Sequence, residues 1–467
     1  MIRYRVSTML IIRLTLLAML ASPAAAQQLT PGERARIDSA ALNVLAATGA
    51  PSASLALVRG GEVVYEQAYG EGRTGTRATP AMRYSIGSVS KQFTATAILL
   101  LAEDGKLSLD DKVSRWFPRL TRANEVTLRQ LLSMTSGYQD YWPQDYVFTA
   151  MQAPATADAI LDRWAKQALD FEPGTNWQYS NTNYVIAAAV VERVAGMPFM
   201  EFLRQRIFNP LRMTTVADFD ASPLLPQDAG GYLRNAIGPL RSAPKEGKGW
   251  LFGAGQLAMT ARDLATWDLS LINQAVLKPA SYRELMTTMV LTGGTATGYG
   301  LGVNVGMAGG RRRISHGGAV SGYTTTNLVY PDDKAAIVVF TNIYPGGGGA
   351  AGQIAARIAA ILLAPTDTTE APAQELARRV YDSLAKGTID RSLFTANAND
   401  YFTAEVLADY GASLGSLGTP TEFTSGGSSL RGGLRIRGYQ IRAGSTSLGL
   451  TMMVQSDGKI EQYIVEN

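Results

Sequence analysis

A serine and a lysine stand three residues apart at the start of the most apolar helix that the sequence predicts. In residues 85–91 (Ser-Ile-Gly-Ser-Val-Ser-Lys) these two are Ser88 and Lys91. On a helix this spacing places both side chains on one face, about one turn apart. The first turn of a helix also offers unpaired backbone N–H groups and the positive end of the helix dipole. Because burial lowers the pKa of a lysine, its neutral amine could accept the serine proton, and the pair predicts an activated serine nucleophile.

The S-x-x-K pattern alone is weak evidence, because the sequence contains other matches, among them residues 242–245 and 383–386. Pro244 inside the first match disfavours a helix interior. The second match lies in a predicted helix of the C-terminal tail, on a face expected to be solvated. A G-x-S-x-G match around Ser413 would need a histidine later in the chain, but the single histidine, His316, comes before it. None of these segments therefore competes with the first pair as a nucleophile.

Two further motifs follow the serine and the lysine along the chain. The first is Y-x-N at Tyr179 and Asn181, and the second is H-x-G at residues 316–318. The order S-x-x-K, Y-x-N and then K-T-G or H-x-G resembles that of serine β-lactamases, D-alanyl-D-alanine carboxypeptidases and related esterases, especially the class C-like branch of these penicillin-binding-protein-like hydrolases. The resemblance covers roughly residues 30–363.

The resemblance implies a role for each motif residue. Ser88 would attack the substrate carbonyl and become acylated, while Lys91 and Tyr179 would share the proton transfers, with Tyr179 activating the deacylating water. Asn181 would hold the lysine and the substrate amide. The strand residues expected to line the site are His316, Gly317 and Gly318, and Ala319, whose backbone N–H would form the oxyanion hole with that of Ser88. Taken singly, each motif could serve structure alone; taken together and in this order, the motifs favour the functional interpretation.

The third motif departs from the family pattern, because His316 and Gly317 replace the lysine and the threonine of K-T-G. An unperturbed histidine is mostly neutral at pH 7, and glycine brings no hydroxyl. Both changes weaken recognition of a free carboxylate, so we expect esters, amides or D-amino-acid peptides without an essential carboxylate as substrates. Residues 245–247 (Lys-Glu-Gly) are an alternative K-x-G motif, although their neighbours are typical of a loop rather than a strand.

Three functions are compatible with these motifs. The first is a serine acyl-hydrolase that forms a covalent acyl-enzyme with a small-molecule or peptide substrate, peptidoglycan-derived substrates included. The second is a D-alanyl-D-alanine carboxypeptidase or a weak β-lactamase. The third is a non-catalytic protein that binds cell-wall fragments. Such a protein has no functional reason to keep all four polar residues of the first two motifs, which argues against the third function.

Composition excludes several other kinds of site. The chain has no cysteine and one histidine, which rules out disulfides, a cysteine nucleophile and a zinc site built on several histidines. We expect neither a metal nor an organic cofactor. The net charge of +4 falls nearly to balance without the three arginines of residues 1–26, so no nucleic-acid partner is predicted.

Residues 1–26 resemble an export signal. They carry three arginines, a short apolar run and a small-residue cleavage pattern at their end, and they contain no acidic residue. The apolar run is shorter than the about 20 residues that span a membrane. We therefore expect cleavage after Ala26, no transmembrane anchor in the mature chain, and an exported protein that is either periplasmic or secreted.

The elements that must position the motifs suggest two domains, because 467 residues exceed one ordinary domain. Residues 27–363 are expected to form the serine hydrolase domain, an α+β fold similar to that of β-lactamases and transpeptidases. In it, one antiparallel sheet takes strands from both ends and is flanked by helices, with a helical subdomain between. A polar, proline-bearing linker is predicted at 364–374. Residues 375–467 are predicted to form a small α+β domain, similar to those of the cystatin or nuclear-transport-factor-2 type.

Hydrophobic periodicity and turn residues predict the individual elements. The predicted helices of the first domain are 30–48, 88–103, 126–134, 182–195, 260–272 and 350–363. Its predicted strands are a hairpin over 53–69, with Gly60-Gly61 as the turn, and 299–305, 312–316, 323–330 and 335–342. The predicted strands of the tail are 434–442, 448–455 and 460–465, with Asp457-Gly458 as the last turn.

Overall fold

The computed structural model describes residues 28–144, 146–363 and 369–466. Contacts between residues divide the chain into two compact units, Met1–Ala364 and Pro365–Asn467. Within the described ranges, no helix is both long enough and apolar enough to cross a membrane. The predicted export signal lies outside these ranges.

An antiparallel sheet organises the first unit. The strands of this unit are β1 (Ser52–Arg59), β2 (Glu62–Arg73), β3 (Thr76–Arg77), β4 (Tyr84–Ser85), β5 (Ala217–Asp218), β6 (Tyr232–Leu233), β7 (Arg241–Ser242), β8 (Leu257–Met259), β9 (Asn304–Ala308), β10 (Arg311–Val320), β11 (Tyr323–Tyr330) and β12 (Ala335–Thr341). Seven of them form the main sheet, in the order β3-β2-β1-β12-β11-β10-β9. Because β1 pairs with β12, with Ala53 opposite Thr341, strands from the two ends of the unit are neighbours. The predicted α+β arrangement is confirmed.

Helices pack on the sheet and fill the middle of the unit. They are α1 (Pro31–Thr48), α2 (Ser90–Glu103), α3 (Leu128–Leu132), α4 (Ala157–Ile160), α5 (Asn181–Ala195), α6 (Phe199–Leu203), α7 (Ala261–Asn273), α8 (Pro279–Leu285) and α9 (Ala350–Leu362). Single 3₁₀ turns lie at Gly87–Val89, Val113–Arg115, Thr149–Gln152 and Pro331–Asp333, and π turns at Leu161–Ala165 and Arg204–Phe208. The start of α1 is a capping box, since Thr30 Oγ1 accepts the N–H of Glu33 and the Glu33 carboxylate accepts the N–H of Thr30.

Cores on both faces of the sheet bury the inner strand β1 except at its last residue, Arg59. Leu55 and Leu57 belong to the core formed with α1 and α9. Ala56 and Val58 belong to the larger core, which includes α2 and the helical middle of the unit. Successive side chains of a strand point to opposite faces, so a strand covered on both sides needs an uninterrupted apolar run. The larger core surrounds α2, in which residues 90–101 are all buried.

The strand predicted at 299–305 differs from the structure. Regular pairing begins only at Asn304, and Tyr299 makes an isolated bridge with that residue. Gly298 and Gly302 have φ angles of 73° and 76°. This left-handed conformation is open to glycine but incompatible with a regular strand, so the chain turns here instead of extending.

The strand predicted at 312–316 is longer than expected. It extends from Arg311 to Val320, because Gly317 and Gly318 remain paired with β11, opposite Thr326 and Thr325. The glycines weaken a strand by propensity, but the neighbouring strand supplies the hydrogen-bond partners that propensity alone does not predict. The motif residues 316–318 therefore lie inside a strand.

The second unit consists of helices followed by a sheet, as the α+β prediction requires. Its helices are α10 (Glu370–Leu384), α11 (Ala396–Tyr401) and α12 (Ala404–Gly415), a 3₁₀ turn lies at Arg391–Leu393, and its strands are β13 (Glu422–Arg431), β14 (Leu434–Ala443), β15 (Thr446–Val454) and β16 (Ile460–Glu466). The four strands form an antiparallel sheet in chain order. The predicted turn at Asp457-Gly458 is present, with a φ of 88° at Gly458. The likeness to cystatin or nuclear-transport-factor-2 domains stays a prediction.

The structure differs from the predictions for this unit in two details. The linker does not continue to residue 374, because α10 begins at Glu370 and the second unit therefore has ordered structure before residue 375. Pro372, which suggested a linker, is the third helical residue, where the missing N–H would have had no partner within the helix. The strand β13 was not predicted, because its serines and glycines are typical of a loop; its pairing with β14 holds it in the sheet.

Candidate active site

Two glycines bring the predicted nucleophile close to strand β10. Ser88 lies on the 3₁₀ turn Gly87–Val89, directly before α2. Gly87 has a φ of 50°, and a Cβ at this position would lie 2.8 Å from the backbone N of Ala319. A Cβ on Gly318 would lie 1.9 Å from the carbonyl oxygen of Ile86. Only glycine permits this approach, which places Ser88 and Ala319 in the wall of one cavity.

Lys91 lies under the serine and is completely buried. Its Nζ is 2.9 Å from Ser88 Oγ, 2.8 Å from Asn181 Oδ1 and 2.8 Å from the carbonyl oxygen of Ala254. Burial lowers the pKa of Lys91 to about 7, although the carboxylate of Asp140 opposes the shift. Near neutral pH, the amine of Lys91 is therefore uncharged in a large fraction of the molecules.

The hydrogen-bond partners determine where that lone pair points. A neutral amine has two N–H groups and one acceptor lone pair. The amide oxygen of Asn181 and the carbonyl oxygen of Ala254 can only accept, so they take both N–H groups of neutral Lys91. The lone pair then faces Ser88 Oγ, which is the member of these three contacts that can donate a proton. This is the arrangement that proton transfer from a serine requires.

Asp140 belongs to the site, although the sequence analysis did not identify it. Its Oδ1 accepts the backbone N–H of Asn181 at 2.9 Å, and both of its oxygens lie 3.2 Å from Asn181 Nδ2. Because the amide nitrogen faces this carboxylate, the amide oxygen faces Lys91. Burial raises the pKa of Asp140, and the hydrogen bonds from Trp142 and Asn181 oppose the shift. The local signal was an acid directly followed by two aromatic residues, Tyr141 and Trp142.

Tyr179 lies beside Lys91 on the segment that leads into α5. Lys91 Nζ is 5.0 Å from the centre of its ring, and the ring is 6.3 Å from that of His316. The side chain is half-buried, and the residue lines the same cavity as Ser88. The structure thus brings together the three motifs that are widely separated in sequence.

His316 is buried and held by both of its ring nitrogens. Nδ1 lies 2.6 Å from the carbonyl oxygen of Gly317, and Nε2 lies 3.0 Å from the hydroxyl of Tyr299. Since a carbonyl oxygen only accepts, Nδ1 carries the proton and Nε2 accepts from Tyr299. Burial lowers the pKa of His316 to about 4, and the charge of Lys91 adds to the shift. At pH 7 this histidine is neutral, and Tyr299 is a second site residue that the sequence analysis missed.

The cavity has a volume of about 760 Å³, which suits a small-molecule or short peptide ligand. Its wall includes apolar and aromatic side chains such as Trp142, Leu251 and Val320, and all eight predicted site residues except Lys91, which lies beneath it. Among the described residues that line it, Asp140 alone has a side chain that is ordinarily charged. The wall therefore offers no cation to a substrate carboxylate.

The rival segments lie away from this cavity. Lys245 lines a different, smaller cavity, and the Glu246 carboxylate accepts the N–H of Ser321. Ser383 and Ser413 lie within α10 and α12 and donate to backbone carbonyl oxygens of their own helices. In the described part of the chain, no group of three or more histidine, aspartate or glutamate side chains is arranged to hold a metal ion.

Comparisons with known proteins agree with this geometry. The family model described as Beta-lactamase matches residues 37–361. The chain is 30% identical over 300 residues to penicillin-binding protein 4* of Bacillus subtilis, covering 61% of this chain and 66% of that protein. It is 29% identical over 303 residues to a D-aminopeptidase of Brucella anthropi, covering 64% of this chain and 57% of that enzyme. The match thus spans less than two thirds of the length of either relative.

A solved structure extends the likeness to three dimensions. The crystal structure of a D-stereospecific amidohydrolase from Streptomyces sp. aligns with a TM-score of 0.62 and 26% sequence identity, covering 72% of this chain and all of that one. The family match spans most of the chain and contains all three motifs of the cavity. The chain belongs to the beta-lactamase family.

Proposed function

We propose that this protein is a serine acyl-hydrolase that cleaves esters or amides through a covalent acyl-enzyme on Ser88. The observation that carries the proposal is the 2.9 Å contact between Ser88 Oγ and the buried Nζ of Lys91. A lysine whose pKa is lowered to about 7 is neutral in a large fraction of the molecules near pH 7. With both of its N–H groups engaged elsewhere, it is a base directed at the serine hydroxyl.

Acylation would begin with attack of Ser88 Oγ on the substrate carbonyl carbon, while the proton of Oγ moves to Nζ of Lys91. The carbonyl oxygen becomes an oxyanion, which the backbone N–H groups of Ser88 and Ala319 would stabilise. The bond to the leaving group then breaks as the leaving alcohol or amine takes a proton, passed from Lys91 through the hydroxyl of Tyr179. Asn181 would hold the lysine and the substrate amide.

Deacylation would reverse these proton movements with water as the nucleophile. Tyr179 would take a proton from the water that attacks the acyl carbon while it passes its own hydroxyl proton to neutral Lys91. Lys91 would then return a proton to Ser88 Oγ as the acyl group leaves as a carboxylic acid. Because water and leaving group use the same protein groups, the cycle restores the starting protonation of Lys91.

The charges around the cavity favour substrates without a carboxylate beside the scissile bond. His316 is neutral at pH 7 and Asp140 is an acid, so a substrate carboxylate would meet no cation on the cavity wall. A neutral group or an ammonium would meet no repulsion there. The names of the relatives, D-aminopeptidase and D-stereospecific amidohydrolase, support D-amino-acid amides and peptides as the substrate class. Peptidoglycan-derived peptides contain D-amino acids and would belong to this class where the cleaved bond has no carboxylate beside it.

We also propose that the chain is exported and acts in the periplasm or outside the cell. The pattern of residues 1–26 supports this. Export would bring the enzyme to the compartment in which peptides containing D-amino acids occur as cell-wall fragments.

The proposal is tested with the mature chain and its Ser88→Ala variant. Each is mixed with p-nitrophenyl acetate, D-alanine p-nitroanilide and a chromogenic cephalosporin, and an acyl adduct is sought by mass spectrometry. Ester or anilide turnover with little cephalosporin cleavage, lost in the variant, is expected. Ser413→Ala is the matched control, because it removes a hydroxyl from an exposed helix.

The other outcomes are equally specific. Rapid cephalosporin turnover would contradict the substrate class and make the protein a β-lactamase. Absence of both turnover and adduct with every substrate would contradict catalysis itself and favour a non-catalytic protein that binds cell-wall fragments.

A further inference from the structure

A second, smaller cavity lies beside the turn that joins β10 to β11. Its volume is about 250 Å³, just below the usual range for small-molecule sites, so a ligand would have to be small. Val320 and Thr324, at the two ends of this turn, line the large cavity, whereas Ser321 and Tyr323 line the small one. Of the described residues, none lines both cavities. The small cavity is therefore a separate place for a ligand, at the turn that follows the strand carrying Ala319.

Two cationic side chains line the small cavity. Arg73 donates from Nε to the carbonyl oxygen of Asp228 at 2.6 Å and from Nη2 to that of Leu225 at 2.9 Å. Lys245 donates from Nζ to the carbonyl oxygen of Glu246 at 3.1 Å. These acceptors are all backbone carbonyls, and over the described ranges neither cation forms an ion pair with a carboxylate. Each keeps N–H groups for a ligand: Nη1 of the arginine and two N–H groups of the lysine ammonium.

The acids that attract Lys245 accept backbone N–H groups. Asp220 accepts them at 2.9 and 3.0 Å. Glu246 accepts the N–H of Ser321 at 2.9 Å with one carboxylate oxygen, and its other oxygen, Oε2, is buried without a hydrogen-bond partner among the described residues. Burial lowers the pKa of Lys245, while Glu246, Asp220 and Asp218 oppose the shift through longer-range attraction. An anion in the cavity would supply the close counter-charge that this lysine lacks.

The other residues that line the small cavity indicate the chemistry of the uncharged part of the ligand. Phe219, Leu224 and Tyr323 present apolar and aromatic surface to the cavity, and Lys245 Nζ lies 4.7 Å from the centre of the Phe219 ring. An inorganic anion would leave this surface uncovered. We propose that the small cavity binds a small organic carboxylate, whose anionic end contacts Arg73 and Lys245 and whose apolar body packs against the aromatic wall.

Calorimetric titration of the full chain with benzoate tests the site, and benzamide serves as the uncharged ligand of the same shape. We expect benzoate to bind in the millimolar range or more tightly. Benzamide should bind at least about tenfold more weakly, because it lacks the charge that strengthens both hydrogen bonds. Binding is measured without turnover, so failure of this proposal is distinguishable from failure of the proposed hydrolase activity.

Three lysine variants complete the test. Lys245→Met should weaken benzoate binding about tenfold, and Lys245→Arg should retain it, because the charge is kept. Lys248→Met removes an exposed lysine three residues away and should leave the affinity for benzoate unchanged. Absence of benzoate binding, equal binding of benzoate and benzamide, or unchanged affinity in Lys245→Met would overturn the proposal. If Lys245→Met does not fold, the comparison of the two ligands on the unaltered chain still decides.

Discussion

Two segments of this chain have the same S-x-x-K spacing but opposite surroundings. At the start of α2, Lys91 is completely buried and its Nζ contacts three oxygens, one of them Ser88 Oγ. Just after the end of α10, the side chain of Lys386 is exposed. The backbone N–H of Lys386 donates to the backbone carbonyl oxygen of Ser383 at 3.0 Å. The comparison shows that spacing alone does not make a base. Burial lowers the pKa of the first lysine, and fixed acceptors direct its lone pair.

The largest expected effect is the loss of kcat when either member of the buried pair is replaced. The exposed pair serves as the control. Ser88→Ala and Lys91→Ala should each reduce kcat for an ester substrate by at least about 10³-fold, because nucleophile and base act as a unit. Ser383→Ala and Lys386→Ala should leave kcat within about twofold, since surface substitutions far from a site have small effects. Steady-state kinetics on the four variants measures the difference. Similar losses in both pairs would show that the buried pair has no special role.

The next effect concerns the group that orients Asn181. Asp140→Asn should reduce kcat about 10- to 100-fold, because an amide at this position no longer forces the Asn181 oxygen toward Lys91. Removal of the acid also removes the attraction that raises the pKa of Lys91. The acidic limb of the pH profile should therefore move to lower pH, which a purely structural loss would not produce. Asp158→Asn, at an exposed position of α4, is the control and should retain both values.

The pH dependence gives a smaller and more specific effect. The pKa of Lys91 is lowered to about 7, and the neutral amine is the active form. We expect kcat/KM to be level above this pKa and to fall about tenfold for each pH unit below it. His316, with its pKa lowered to about 4, would give a limb at much lower pH. A profile that stays level down to pH 5 would therefore rule out Lys91 as the base.

The order of the motifs was sufficient to predict much of the molecule. The S-x-x-K, Y-x-N and H-x-G segments indicated the family, and the strands at both ends of residues 27–363 indicated an antiparallel sheet that joins them. Both rest on local patterns, namely side chains one helical turn apart and runs of apolar residues. The roles of the individual site residues stay predictions until the variants are measured.

Asp140 and Tyr299 were missed for a physical reason. Each acts through a contact with a residue distant in sequence, Asp140 with Asn181 and Tyr299 with His316. No local periodicity records such a pairing, because it depends on how α5, β10 and the intervening loops pack. Strand β13 was missed for a similar reason, since its pairing with β14 outweighs a composition typical of a loop.

The smallest expected effect is on stability, and it compares a buried tyrosine with an exposed one. Tyr299→Phe removes the hydroxyl that donates to Nε2 of His316 and leaves a buried acceptor without a partner, which should lower the free energy of unfolding by about 1–2 kcal/mol. Tyr146→Phe removes a hydroxyl from an exposed ring and should change stability by less than about 0.5 kcal/mol. Urea titrations of both variants measure this. An equal change in the two would mean that water or rearrangement satisfies the histidine, and that burial alone, without the tyrosine, keeps His316 neutral.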